Sequence, residues 1–315
     1  MQQNQSTASA TRPALTAGQL PLWWLLKGIS LLPFPVLYAF STCLYGIMYH
    51  VVGYRKKVVR QNLQRSFPGK SAAELKQIEK QFFLNLTDLI VECLKLISLS
   101  PTDLRKRVTS VGSEKVIQML ASGRPVMILG AHLGNWEYMS AAGNSIFAFP
   151  IDGVYKPLAS SFFEEFMKFM RGRFGINLVR MKDTLRHIIR HRNQQRILTL
   201  LSDQVPPYGE IQYWTTFLHQ DTPFYVGAEK LRTSFNFPTF FVGMRHLRRG
   251  YYQIEFQELL PAPSEEVQEE GHPLTDAFAR RLEQWVEAHP AEYLWSHKRW
   301  KHKRPQPEAA ASPEA

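Results

Sequence analysis

Cysteine is almost absent: Cys43 and Cys93 are the only two in 315 residues. Two isolated thiols supply neither a disulfide framework nor a Cys-x2-Cys metal pair, and they suit a reducing compartment. The chain has no Gly-x-x-x-x-Gly-Lys-Ser/Thr loop and no Gly-x-Gly-x-x-Gly, so nucleotide chemistry lacks a phosphate cradle. With no Gly-x-Ser-x-Gly elbow, Ser140 is not a hydrolase nucleophile, and no zincin motif is found. Helix-turn-helix, zinc-finger and aromatic RNA-binding patterns are missing, which removes nucleic acid as a partner. His187 and His191 have the i, i+4 spacing of metal ligands, but Arg186, Arg190 and Arg192 around them would repel a cation. Neither a metal nor a cofactor is expected.

Charge is missing from one long stretch. Between Gly28 and Tyr54 there is no Asp, Glu, Lys or Arg. This segment is about long enough to cross a bilayer, with Pro33 and Pro35 placed to kink it. Trp23, Trp24, Tyr38, Tyr45 and Tyr49 are residues of the membrane interface. Arg55, Lys56, Lys57, Arg60, Arg65 and Lys70 follow with no acid among them, a juxtamembrane basic flank. The net charge of +11 favours an anionic partner, such as lipid or an acidic carrier protein. Residues 1–19, rich in Gln, Ser, Thr and Ala, and residues 305–315, rich in Pro, Ala and Glu, are expected to be disordered. Residues 20–54 are then an anchoring segment and residues 55–304 the folded domain.

Within that domain Ser71-Ala72-Ala73-Glu74 is a capping box opening an amphipathic helix with apolar positions from Leu75 to Ile97. Apolar runs at 124–129, 150–155, 177–179, 196–201, 238–244 and 251–256 read as strands, with helical patterns at 162–169 and 184–192 between them. The alternation predicts an α/β fold: a single mixed, mostly parallel sheet flanked by helices, with an N-terminal membrane-associated helix.

The stretch Gly130-Ala131-His132-Leu133-Gly134-Asn135-Trp136-Glu137-Tyr138 sits where a strand ends and a helix begins, with Asn135 as the helix cap. In an open α/β sheet that rim is where ligands bind. Five residues along one helix turn through about 500°, which leaves His132 and Glu137 about 140° apart and out of contact. A break at Gly134 is expected to fold the imidazole back over the carboxylate. Glu137 would then support an imidazolium while the free ring nitrogen takes a proton.

His-x4-Glu after a strand resembles the motif of the glycerolipid and lipid A acyltransferases, and Gly-Ala-His-Leu-Gly-Asn-Trp-Glu resembles the late lipid A (lauroyl/myristoyl) acyltransferase family in particular. Further similarities run in order: Tyr54-Arg55-Lys56-Lys57, Phe82-Phe83-Leu84-Asn85, Arg171-Gly172-Arg173-Phe174-Gly175, Ser202-Asp203-Gln204 and Tyr293-Leu294-Trp295-Ser296-His297-Lys298-Arg299-Trp300. The chain departs from the family pattern at Lys156 and Gln220, where an Arg is usual. The resemblance implies a membrane-associated O-acyltransferase. It would move a fatty acyl chain from an acyl carrier protein thioester to a hydroxyl of a lipid A precursor, on the cytoplasmic face of a bacterial inner membrane. His132 and Glu137 would be catalytic. Asn135, Lys156, Arg171, Arg173, Asp203 and Gln204 would bind substrate or carrier. An amino-acid lipid, lysophospholipid or pigment acceptor is the alternative within the enzyme reading. A basic, membrane-tethered protein that recruits a partner is the alternative outside it.

Overall fold

The computed structural model describes residues 12–263 and 271–305. Residues 1–11 and 306–315, most of the two tails expected to be disordered, lie outside the described residues. The helices are α1 (Leu20–Leu31), α2 (Phe34–Gly46), α3 (Lys56–Ser66), α4 (Ala72–Lys95), α5 (Pro101–Arg105), α6 (Ser113–Ala121), α7 (Trp136–Ile146), α8 (Ser161–Gly172), α9 (Thr184–Arg190), α10 (Gly227–Phe235) and α11 (Pro273–Ala288). The strands are β1 (Val108–Val111), β2 (Val126–Gly130), β3 (Ile151–Tyr155), β4 (Asn177–Arg180), β5 (Ile197–Leu201), β6 (Tyr213–Phe217), β7 (Gln220–Phe224), β8 (Thr239–Arg248) and β9 (Tyr251–Leu260).

Among the described residues seven strands form one sheet in the order β1-β9-β8-β2-β5-β3-β4, and β6–β7 form a separate hairpin. Neighbouring strands pair parallel except β8 and β9, so the sheet is mixed and mostly parallel, as expected. β2 lies inside the sheet between β5 and β8, and every one of its residues is buried. Its side chains alternate between two apolar layers: Val126 and Ile128 join one core, Met127 and Leu129 the other. A strand covered on both faces has to be apolar throughout, which is why 124–129 reads as an unbroken run.

The segment without charge does not form one continuous rod. Pro33 cannot donate an intrahelical hydrogen bond, so α1 ends at Leu31, and α2 restarts at Phe34 and runs on as a π-helical turn from Ile47 to Val52. Phe34–Val52 is long and apolar enough to cross a membrane by length and composition. One side of α2 is nevertheless fastened to α4. Tyr38 donates to Glu92 (2.7 Å), Ser41 donates to Asp88 (2.6 Å), and Tyr49 packs edge-on against Phe83. α4 itself starts at the predicted capping box, with the Ser71 side chain accepting from the Glu74 backbone. Glu92 is fully buried and accepts from three elements at once: Tyr38 of α2, Tyr252 of β9 (2.5 Å) and Asn135 at the start of α7 (2.6 Å).

Candidate active site

Sheet register decides what meets at the rim. Gly130 at the end of β2 lies beside Leu201 at the end of β5, and Ser202 donates to the Gly130 carbonyl (3.0 Å). Two residues further along each strand stand His132 and Asp203. Their side chains meet: Nδ1 of His132 lies 2.8 Å from Oδ1 of Asp203, and the His132 backbone N–H donates to Oδ2 (3.1 Å). The chain then turns at Gly134, whose φ is +53°. A Cβ there would come within 2.8 Å of the Met244 carbonyl oxygen, so glycine is required at this turn. Asn135 caps α7 as expected, accepting from the Tyr138 N–H (2.9 Å).

The hydrogen bond expected between His132 and Glu137 does not form. The Gly134 turn carries the imidazole towards β5, while Glu137 enters the first turn of α7 and faces α8. There Arg171 grips its carboxylate with Nε (2.9 Å) and Nη2 (2.6 Å). The Trp136 ring stands edge-on to the imidazole with centroids 5.0 Å apart. Glu137 therefore acts on His132 as a nearby charge and not as a bonded partner.

Electrostatics follow from this arrangement. Burial alone would push the His132 imidazole down, but the adjoining Asp203 carboxylate outweighs it and holds the ring above its ordinary value. Burial would likewise raise Asp203, yet His132 and the wholly buried Arg299 keep its carboxyl below the usual range. His297, close by, is brought down to about 4 chiefly by burial, so it remains neutral and does not compete for a proton. With Nδ1–H donating to Asp203, Nε2 of His132 is left to accept a proton. The amide nitrogen of Gln204 lies 3.3 Å from that Nε2.

His132 opens onto a cavity of about 560 Å³ between the sheet and the α7–α8 layer. Ile128, Met139, Phe147, Ile176, Val242 and Phe256 give it an apolar interior, and His132, Lys156, Arg171 and Gln204 stand among the polar groups that line it. Lys156 is exposed at the end of β3. Arg173 points elsewhere: it donates to the carbonyls of Leu96 and Leu99 and ties down the end of α4. Asn135 is fully buried between the α7 backbone and Glu92, with no face on the cavity. Sequence reasoning missed the cavity wall, although Gly130, Gly143 and Gly153 all line it and small residues on core elements signal room for a guest.

An imidazole held at Nδ1 by a carboxylate, beside a largely apolar cavity of about 560 Å³, suits an enzyme that handles acyl chains. The family described as bacterial lipid A biosynthesis acyltransferase matches residues 12–302, and the chain belongs to that family. A search of curated proteins finds no match.

Proposed function

We propose that this acyltransferase moves a fatty acyl group from an acyl carrier protein thioester to a hydroxyl of a lipid A precursor, docked on the cytoplasmic face of the inner membrane. The observation that carries the reading is the His132–Asp203 pair opening onto an apolar cavity. In this mechanism Nε2 of His132 takes the proton of the acceptor hydroxyl as its oxygen attacks the thioester carbonyl. Asp203 stabilises the imidazolium that results and fixes its tautomer. The tetrahedral intermediate collapses, the carbon–sulfur bond breaks, and the departing thiolate recovers the proton from His132. The Gln204 amide, which lies beside Nε2, would donate to the developing oxyanion. The cavity receives the acyl chain, and Lys156 at its mouth attracts an anionic headgroup or carrier.

Glu137 keeps an electrostatic part: its charge adds to that of Asp203 in favouring imidazolium, while its bond to Arg171 braces the cavity wall. His132 lines the cavity together with Trp136 and Gln204, which supports the enzyme over a purely tethering protein. A positioned general base contributes about 10²–10⁴ in rate. Folded His132→Ala should lose that much acyl transfer in single turnover with saturating carrier thioester. Transfer near the wild-type rate would reject the mechanism.

A further inference from the structure

The break between α1 and α2 borders a crevice of about 290 Å³ that shares no lining residue with the cavity at His132 and is lined in part by Phe34, Lys95, Asp103, Lys106, Arg107 and Tyr251. Its cations are held in place by the fold. Lys95 donates to the carbonyls of Ser30 and Leu32, both at 2.8 Å, and so staples the broken helix end. The Arg107 guanidinium lies 3.3 Å from the Phe34 ring centroid and donates to the Gly250 carbonyl (3.2 Å). Among the described residues neither Lys95 nor Arg107 has a carboxylate in ion-pair contact. The lining acid, Asp103, is engaged by Lys106 (3.3 Å) and Ser100 (2.7 Å). Three cations to one acid leave the crevice positive. Burial and the neighbouring Arg107 pull the Lys95 ammonium down, against a smaller upward pull from Asp103.

The surroundings say what kind of anion reaches it. Trp24, Leu25 and Leu31 on α1, and Val36, Phe40, Ile47 and Val51 on α2 and its π-helical turn, are exposed; Leu31, at the break itself, is 65% exposed. The opposite side of α2 is bonded to Glu92 and Asp88, and Arg249 adds a bidentate grip on Asp88 (2.6 and 2.8 Å). A helix with one side committed to carboxylates cannot be wrapped by hydrocarbon on every side. It can lie in a single leaflet with its free side down.

We propose that α1 and α2 dock flat on one leaflet and that the crevice at their break binds the phosphate of an anionic bilayer phospholipid. Lys106 and Arg107 meet the phosphate, and Lys95 keeps the crevice positive while holding the helix end. The proposal rests on the membrane-facing reading above. Its readout is the partition of unreacted protein, so its failure and a failure of acyl transfer are separate results.

The test uses the full-length protein and vesicles of phosphatidylcholine with or without phosphatidylglycerol. Each basic residue at an anionic surface is worth about five-fold in partition, so Lys106→Gln/Arg107→Gln should bind the anionic vesicles about thirty-fold more weakly. Its binding to phosphatidylcholine alone should be unchanged. Lys106→Glu changes an exposed side chain and gives up only its exposed pair with Asp103, a small cost to the fold, and should lose at least five-fold on the anionic vesicles. Phe40→Glu/Val51→Glu should lose binding to both vesicle types. Unaltered partition of the cation variants, or an equal loss on both vesicle types, would overturn the headgroup site. Inorganic phosphate that stabilised the wild type but not the double variant, with no preference between vesicles, would assign the crevice to a free anion and also overturn it.

Discussion

Replacing Asp203 by Asn keeps the shape of the side chain and removes the charge that His132 leans on. A hydrogen bond to a charged partner is worth about 1.5–3 kcal/mol. The 2.8 Å contact is buried on the Asp203 side, so that range applies without a discount for solvent. At about 1.36 kcal/mol per factor of ten, the imidazolium loses about 10- to 150-fold of support, and the plateau rate should fall by that factor. The pH profile should move as well. Below its own pKa a protonated His132 could not act as a base, so the wild-type rate should rise with pH through a value above the ordinary one. Without the carboxylate, burial is opposed only by the more distant charge of Glu137, and the ring falls. The rise in rate should therefore begin at lower pH and level off at a lower plateau. Single-turnover transfer with saturating donor, followed from about pH 5 to 9, reads both effects together. An unmoved acid limb with a plateau within about a factor of two of wild type would refute the role given to Asp203. If Glu137→Gln alone produced that shift, Glu137 would be the partner instead.

Glu137→Gln strands the largely buried Arg171, and breaking such a pair costs about 3–5 kcal/mol when both partners are enclosed. Arg171 keeps 24% of its side chain exposed, so the loss should fall towards the lower end, and Glu137→Gln/Arg171→Met should recover most of it in thermal melts. Gly143 lines the cavity, and a Cβ there would come within 2.7 Å of the Ile151 Cδ1. Gly143→Leu should shift preference towards shorter donors in competition between thioesters of graded length, and an unchanged preference would remove the cavity as the acyl site.

Much of this architecture is written in local pattern. The capping box at Ser71, the unbroken apolar run of β2 and the Asn135 cap each depend on neighbours a few residues away, and each stands where the spacing put it. The edge strand β1, Val-Thr-Ser-Val, is too short and too polar to announce itself, and its place beside β9 comes from tertiary pairing. The partner of His132 was hidden for a related reason. Glu137 is close along the chain, whereas Asp203 is 71 residues away and reaches the imidazole only because β2 and β5 are adjacent in the sheet. Spacing along a chain reports neighbours in sequence; strand order reports neighbours in space. The cavity was hidden for the same reason, since its wall draws on six strands and two helices far apart in the chain.

Glu92 makes the N-terminal segment something other than a detachable anchor. Its single carboxylate is shared between Tyr38 on the exposed helix and Asn135, which caps the helix following the catalytic turn. Cutting the chain at residue 54 would take away Tyr38 and bare the side of α4 that α2 covers, where Glu92 holds Asn135, the cap that stands three residues after His132. A shortened protein made for solubility would therefore have an altered reaction centre as well as a lost foothold. Its low activity would be misread as a simple failure to find substrate.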